Sequence, residues 1–297
     1  GKKAAAKKQP DQKIKFPLLI KAAKKLKCDF VVTGHYARIK KSKGKYELLR
    51  AKDESKDQSY FLYRLKQDEL KNILFPIGDL TKKEVREIAK KHKFPNADKK
   101  STVGICFIGK VNLKKFLQKK IKAKKGKILD PEGKQIGEHD GIYYYTTGQR
   151  IGPRFGIDIS KDNDDKKQLK RWYVARKNSK TNTIIAAPEG HELNFRKEIY
   201  VNNVHWISYN PLDNISKNNK SLTIKDKYAN KVSLSRGVGK RSIKVLSRIR
   251  QVGELLSSTI SYKNNKILVT LNKPITGVSE GQAIVLYKGK EVLGGGV

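Results

Sequence analysis

The sequence predicts an α/β N-terminal part followed by two β-rich parts, and three observations carry that reading. Near the start, apolar residues at helical spacing run into a short apolar strand that ends on the polar turn Gly34-His35-Tyr36. Helix, strand and polar turn in that order are typical of an open α/β sheet, where ligands collect at the carboxyl ends of strands. After about residue 110, short alternating or aromatic segments recur at roughly ten-residue spacing, separated by Gly, Pro and Asn, as in small sheets or barrels. Finally, 297 residues suggest about two domains at ~150 residues each, or three small ones. Only 37% of residues are hydrophobic, below the ~45–50% of typical domains, a range that also counts Gly. Yet 13 Tyr, 9 Phe and 2 Trp still supply material for cores.

Taken in order, Ile14, Leu18, Ala22 and Leu26 recur at i+4, which predicts an amphipathic helix whose first turn tolerates Pro17. Asp29 to Thr33 reads as a buried strand, and Tyr46 to Ala51 as another. Thr81-Lys82-Lys83-Glu84 is a capping box opening a helix with Val85, Ile88 and Ala89 on its apolar face. That helix ends near Lys93, before Phe94-Pro95. Strand signals follow at Lys127 to Leu129, Gly141 to Thr146, Arg171 to Ala175 and Thr183 to Ala187. They continue at Ser221 to Ile224, Lys244 to Arg250, Lys266 to Leu271 and Ala283 to Tyr287. Asp162 to Lys167 reads as a loop insertion.

Charge is the loudest feature. With 67 Lys+Arg against 28 Asp+Glu, the formal net charge is +39, which resists compaction unless a polyanion neutralises it. Nucleic acid is the first candidate and an anionic membrane surface the second. No apolar run approaches the ~18–20 residues of a membrane span, and no signal-peptide core opens the sequence. Residues 1–27 hold ten Lys against Asp11, 110–127 nine Lys and no acid, and 220–250 ten Lys/Arg against Asp226. One such run can be a solvated face; three in separate segments favour an extended anion-binding surface. Two cysteines, Cys28 and Cys106, cannot build a disulfide framework, which points to a reducing cytosolic setting. The first residue is Gly rather than Met, the expectation being a processed, truncated or engineered chain.

The five histidines show no zinc-type spacing, so no metal site is expected. Gly237 to Ser242 resembles the tail of a phosphate loop, but Arg241 fills the Ser/Thr position and Leu234 that of the leading Gly, so it reads as a basic turn. Thr33-Gly34-His35-Tyr36 fits either a ligand-binding turn, with Gly34 letting a ligand approach the backbone, or a plain turn. Cys106, in Ser101-Thr102-Val103-Gly104-Ile105-Cys106-Phe107-Ile108-Gly109, fits either a core position or a thiol delivered by a Gly-flanked loop. Lys99, Lys100 and Lys110 would lower its pKa. Cys28 reads as structural.

Ordered motifs run through nearly the whole chain. They are Thr33 to Arg38 (TGHYAR), Lys56 to Leu62 (KDQSYFL), Leu74 to Gly78 (LFPIG), Gly104 to Gly109 (GICFIG) and Gly137 to Gly141 (GEHDG). Gly148-Gln149-Arg150, Trp172-Tyr173-Val174, Arg248-Ile249-Arg250-Gln251, Gly281-Gln282 and Leu293 to Gly296 follow. In this set and order the sequence resembles the tRNA-specific 2-thiouridylases, which convert the wobble uridine of certain tRNAs to 2-thiouridine.

The resemblance implies a partial α/β nucleotide-binding domain of the adenine nucleotide alpha-hydrolase type over 1–109, a central β-rich tRNA-binding domain over 110–195 and a C-terminal β-barrel over 196–297. It implies that ATP, with its magnesium ion, adenylates the uridine O2. A cysteine persulfide then supplies sulfur to C2, and a second cysteine resolves the disulfide. Cys106 matches the persulfide-carrying cysteine and Gly34 an ATP-contacting glycine. His35, Lys56, Asp57, Gln58, Arg248, Ile249 and Gln282 match tRNA-contacting positions. The implied partners are tRNA and a sulfur-relay protein or cysteine desulfurase as donor, in the cytoplasm and without a membrane. Three departures stand out. The family's Ser-Gly-Gly-x-Asp-Ser pyrophosphate loop does not occur, the expectation being a chain that starts after it. Pro10-Asp11 runs directly into Gln12-Lys13, without the first catalytic cysteine. Ser101-Thr102-Val103 replaces Asp-Ser-Thr. Two rivals remain, a tRNA-binding remnant without catalysis and a generic basic RNA-binding protein.

Overall fold

The computed structural model describes residues 15–99, 112–153, 171–213, 242–251 and 253–297. Cys106 and its Gly104–Gly109 loop, the 162–167 insertion, the expected strand Ser221 to Ile224 and the basic turn from Gly237 lie outside the described residues. The chain divides into two compact units. The larger comprises the described parts of 8–98, 198–272 and 283–297, and the smaller those of 99–197 and 273–282.

Helix α1 (Phe16–Lys25) opens the larger unit with Pro17 in its first turn and Lys24 and Lys25 in its last, where cations complement the helix dipole. Its buried side differs from the expected stripe. Phe16 is fully buried, with Ile20 and Ala23 packed on the same core, whereas Leu18 and Leu26 are 60% and 72% exposed. Phe16, Ile20 and Ala23, spaced i, i+4 and i+7, form one face and set the helix's rotation together, which turns Leu18 outward, while Leu26 falls beyond the last turn. Strand β1 (Val31–Val32) follows. Cys28, expected to be structural, is exposed just ahead of it.

A hairpin of β2 (Ala37–Ser42) and β3 (Lys45–Arg50) turns at Lys43 and Gly44, both with positive φ, the backbone twist that suits a two-residue turn. Helix α2 (Gln67–Leu70) leads to β4 (Ile73–Leu74), which pairs in parallel with β1 and sets Val31 beside Ile73. Helix α3 (Lys82–Lys91) carries the expected capping box. The Thr81 hydroxyl accepts from the Glu84 amide at 3.2 Å, and the Glu84 carboxylate accepts from the Thr81 amide. The Thr81 backbone and hydroxyl, with Lys52, hold the Glu84 carboxyl down to about 2.

The smaller unit contains α4 (Leu113–Gln118), β5 (Gly126–Leu129), β6 (Gln135–His139), β7 (Arg150–Ile151), β8 (Trp172–Asn178) and β9 (Thr183–Pro188). Its sheet runs β6-β5-β9-β8-β7 over a core of Ile128, Ile136, Ile142, Tyr144, Ile151, Val174 and Ile184. The strand expected at Gly141 to Thr146 is instead a single 3-10 turn, Ile142–Tyr144. The GEHDG segment explains why. His139 Nδ1 accepts from the Gly141 amide at 3.1 Å, its Nε2 lies 3.1 Å from the Asn182 carbonyl, and Gly141 has φ +152°. The chain is thereby bent away from the sheet. Next along it, Asp140 accepts from the Tyr145 hydroxyl at 2.7 Å and pairs with Lys114 at 2.9 Å.

Strands β10 (Phe195–Val201), β11 (His205–Trp206), β12 (Ile243–Arg248), β13 (Leu256–Lys263), β14 (Lys266–Thr276), β15 (Ile284–Lys288) and β16 (Glu291–Gly296) complete the chain. They form a sheet of order β10-β14-β13-β12-β15-β16-β3-β2, with β11 also on β16. The early hairpin therefore extends the late sheet. Leu49 pairs with Glu291, and the Arg50 amide donates to the Lys290 carbonyl at 2.8 Å. Among the described residues no helix is long and apolar enough to cross a membrane.

Two predictions follow from packing and burial. A Cβ at Gly78 would stand 1.8 Å from the Ala37 carbonyl oxygen, whereas one at Gly34 would meet only the Ile77 Cδ1 at 4.0 Å. Gly78→Ala is expected to cost about 1–3 kcal/mol and Gly34→Ala to leave thermal melting nearly unchanged; similar melting of the two would contradict the close approach. Burial holds His139 below the ordinary histidine value. As pH falls through about 6.5 the unfolded chain takes up the proton first. Stability is therefore lost below that pH until the folded-state value is passed. The melting temperature should fall between pH 7.5 and 5.5, and by less in His139→Gln.

Candidate nucleic-acid interface

The site in the larger unit is built around a carboxylate that water does not reach. Asp57 follows β3 in the KDQSYFL segment, and its side chain is 0% exposed. Its Oδ1 accepts from the amides of Ala51 and Ser59 at 3.1 and 3.3 Å. Its Oδ2 accepts from the Ser59 hydroxyl at 3.0 Å and from Arg248 Nη1 at 2.7 Å. A buried carboxylate needs its oxygens met in this way. Arg50 Nε lies 3.8 Å from the same Oδ2, while its Nη2 pairs with Glu54 at 3.1 Å. The Arg248 guanidinium stacks 5.7 Å from the centre of the Tyr287 ring, whose hydroxyl burial pushes up to about 12.

Segments far apart in sequence meet here. Gln251 Nε2 donates to the Asp57 carbonyl. The Tyr60 hydroxyl lies 2.9 Å from the carbonyls of both Ile249 and Ala283, and burial raises its pKa above the usual phenol range. Gln58 grips the TGHYAR segment, its Oε1 accepting from the Tyr36 amide at 2.9 Å and its amide donating to the Tyr36 carbonyl at 2.8 Å. The Lys52 amide donates to the Gly78 carbonyl at 2.9 Å, tying in LFPIG.

Each expected site residue except Cys106 has a definite place. Gly34 is exposed at the carboxyl end of β1, where the Thr33 amide donates to the Leu74 carbonyl at 3.1 Å. His35 is buried, its Nδ1 2.8 Å from the Thr33 hydroxyl and its ring 5.5 and 5.8 Å from those of Phe16 and Phe75. Lys56 is exposed, Gln58 half-buried, and Asp57, Arg248 and Ile249 buried. Gln282 belongs to the smaller unit, where its amide donates to the Ser279 carbonyl at 3.2 Å and its Oε1 accepts from the Ser279 amide at 3.4 Å. Cys106 lies outside the described residues.

The larger unit thus brings the segments of Gly34, His35, Lys56, Asp57, Gln58, Arg248 and Ile249 together, with buried and exposed side chains next to one another. Asp57, Arg248 and Ile249 form the frame, and Lys56 and Arg250 face solvent. Such an arrangement can hold a polyanion at its rim while the buried pair fixes the rim's geometry. Sequence reasoning did not single out Arg50, Tyr60, Gln251 or Tyr287 as members of the site. Tyr60 and Gln251 lie within quoted motifs, but Arg50 and Tyr287 carry no sequence signal beyond their place in strands.

Residues 6–110 match the family model described as tRNA methyl transferase HUP domain, 114–188 the tRNA methyl transferase PRC-barrel domain, and 196–297 the aminomethyltransferase beta-barrel domain. These descriptions agree with the expected α/β part followed by two β-rich parts. The chain is 37% identical over 289 residues to tRNA-specific 2-thiouridylase MnmA 2 of Aliarcobacter butzleri, covering 96% of this chain and 71% of that protein. It is 39% identical to tRNA-specific 2-thiouridylase MnmA of Buchnera aphidicola subsp. Schizaphis graminum, covering 97% and 70%. Against MnmA of Coxiella burnetii strain Dugway 5J108-111 it is 38% identical, covering 97% and 71%.

Removing one partner of a buried ion pair costs about 3–5 kcal/mol. Asp57→Ala and Arg248→Ala should each lower stability by that order in urea unfolding. The double variant should cost clearly less than the sum of the two; strict additivity would contradict a direct pair.

Proposed function

Since the chain belongs to the tRNA-specific 2-thiouridylase family, we propose that it replaces the O2 of the wobble uridine of tRNA with sulfur. The observation that carries this reading furthest is the convergence of the TGHYAR, KDQSYFL, LFPIG and RIRQ segments on the Asp57–Arg248 pair. Four stretches that resemble the family's motifs serve one site. In this reading Lys56 and Arg250 meet phosphate from the exposed rim. His35, Gln58, Ile249 and the main chain between them shape the surface on which the anticodon arm rests. Asp57 and Arg248 act from beneath by holding the KDQSYFL segment against β12, and Gln282, in the smaller unit, is a further tRNA contact by family resemblance. The division at 1–109, 110–195 and 196–297 assigns nucleotide binding and catalysis to the first part, which also carries the tRNA contacts of His35, Lys56 and Gln58, and further tRNA contacts to the other two.

Gly34 fits an adenine nucleotide. It is exposed at the end of a parallel strand, and a Cβ there would touch only the Ile77 Cδ1, at 4.0 Å, so a phosphate or base can reach its backbone. ATP with magnesium, when bound, turns the uridine O2 into a leaving group. This chain's part is to present the uridine and deliver sulfur from a persulfide on Cys106, supplied by a donor protein in the cytoplasm. The polarisable outer sulfur is the nucleophile and its attack on C2 expels the activated oxygen; a second thiol, from the donor system, then breaks the S–S bond to Cys106 and frees the 2-thiouridine.

Cys106→Ser should abolish 2-thiouridine formation while leaving tRNA affinity unchanged. The readout is mass spectrometry of nucleosides from tRNA incubated with protein, ATP and a persulfide donor. Thiolation in the variant at the wild-type rate would remove Cys106 from the mechanism. A wild-type protein that binds tRNA but neither binds ATP in calorimetry nor forms the product would support the reading of recognition without catalysis.

A further inference from the structure

Resting on the reading that tRNA is the substrate, we infer that α4 and the strap leading from it to β5 form a separate docking surface for the RNA phosphate backbone. Residues 112–129 contain eight lysines and no acidic residue. Seven of the lysines, between Lys115 and Lys127, are exposed. The eighth, Lys114, pairs with Asp140. No other ion pair to these lysines is found among the described residues.

Three features distinguish this run from an ordinary solvated face. First, its backbone is fixed. The Asn112 side chain caps α4 by accepting from the Lys115 amide at 3.1 Å, and Asn182 Nδ2 donates to the carbonyls of Lys124 and Lys125 at 3.2 and 2.7 Å. The Lys124 amide donates to the Asp140 carbonyl at 3.1 Å. Second, Leu117 and Ile121 pack on the core of the smaller unit, so the lysines are carried on an anchored ridge. Third, Phe116 lies among the lysines and is 46% exposed, with Lys119 and Lys120 directly after the last residue of α4. A nucleic-acid surface can use such a ring, because an unstacked base can lie on it while the cations meet the phosphates.

The test uses the full chain, an unmodified tRNA transcript and poly-U RNA, with binding followed across a salt series. One variant carries Lys115→Gln, Lys119→Gln, Lys120→Gln and Lys122→Gln. A control carries the same loss of charge in the larger unit, as Lys40→Gln, Lys91→Gln, Lys266→Gln and Lys288→Gln. At roughly 0.7–0.9 per phosphate contact, the first variant should flatten the log–log salt slope by about three. It should also lose at least about tenfold in affinity for tRNA at ~0.15 M salt, with unchanged melting, while the control changes little. Phe116→Ala should lose about tenfold, the order of one stacked base, without changing the slope. A wild-type slope in the first variant, or the same loss in the control, overturns the surface. So does a variant that loses binding to phosphatidylserine vesicles but keeps its tRNA affinity. If wild type prefers tRNA over poly-U while the first variant keeps the wild-type slope, the docking surface fails and the thiouridylase reading stands. If wild type shows no preference but the first variant alone flattens the slope on both RNAs, the surface stands and the tRNA reading fails. No binding of either RNA by wild type overturns both.

Discussion

Asp57 sets the terms for the larger unit. A carboxylate wholly removed from water is tolerated only when its oxygens are met by donors and a cation lies against it. Asp57 draws those donors from Ala51 and Ser59 in its own segment and from Arg248 at the end of β12. Once that pair is formed, Gln251 and the Ile249 carbonyl fall beside Asp57 and Tyr60. Tyr60 in turn reaches the Ala283 carbonyl ahead of β15. The choice of Arg rather than Lys at position 248 fits the task. One flat guanidinium donates to the carboxylate and also lies over the Tyr287 ring, which a compact ammonium does less well. The rim that faces solvent is therefore held by a buried contact between residues nearly two hundred positions apart.

The sequence made several elements legible. The capping box at Thr81 and Glu84, the strand near Tyr46 and the strands of β8, β9, β12, β14 and β15 all follow from local patterns whose causes lie within a few residues. Three features did not follow, each because the cause is distant. The inward face of α1 was misplaced because i+4 spacing alone gives Leu18 and Leu26 the weight that Phe16, Ile20 and Ala23 take once β1 and β4 supply a core. The turn at 142–144 read as a strand because nothing nearby in sequence announces that His139 will take the Gly141 amide. The hairpin 37–50 read as part of the α/β segment because its partner, β16, lies at the far end of the chain. Among the site residues, chemistry could propose that Gly34 and His35 border a ligand. It could not separate the buried Asp57 and Arg248 from the exposed Lys56 and Arg250, since adjacent charges look alike until burial sorts them.

The same sorting explains how a chain of net charge +39 folds. Among the described residues the buried arginines, Arg50 and Arg248, have carboxylates to meet them. Elsewhere, long lysine side chains lie over aromatic rings, as Lys41 over Tyr46, Lys82 over Tyr36 and Lys263 over Tyr200 at 5.7 to 5.9 Å. Their methylene stems cover apolar surface while the ammonium remains in water. Self-repulsion is thus moved to the surface, where salt screens it over about 8 Å under physiological conditions and where a polyanionic ligand can relieve it further.

The position of β16 has a consequence for how the protein is made. This strand lies between β15 and β3 and also receives β11, so it occupies the interior of the large sheet although it is translated after every other described strand. The β2–β3 hairpin leaves the ribosome early, and the whole of the smaller unit is synthesised before the strand that will cover its open edge emerges. Over that interval the nascent chain carries an unpaired β-edge beside an accumulating run of cations, within reach of ribosomal RNA. The larger unit cannot close co-translationally from its N-terminal half. Its assembly is a late event governed by long-range strand pairing, which is the slow kind, and a ribosome stalled short of Glu291 would hold a chain in which β3 has lost its neighbour.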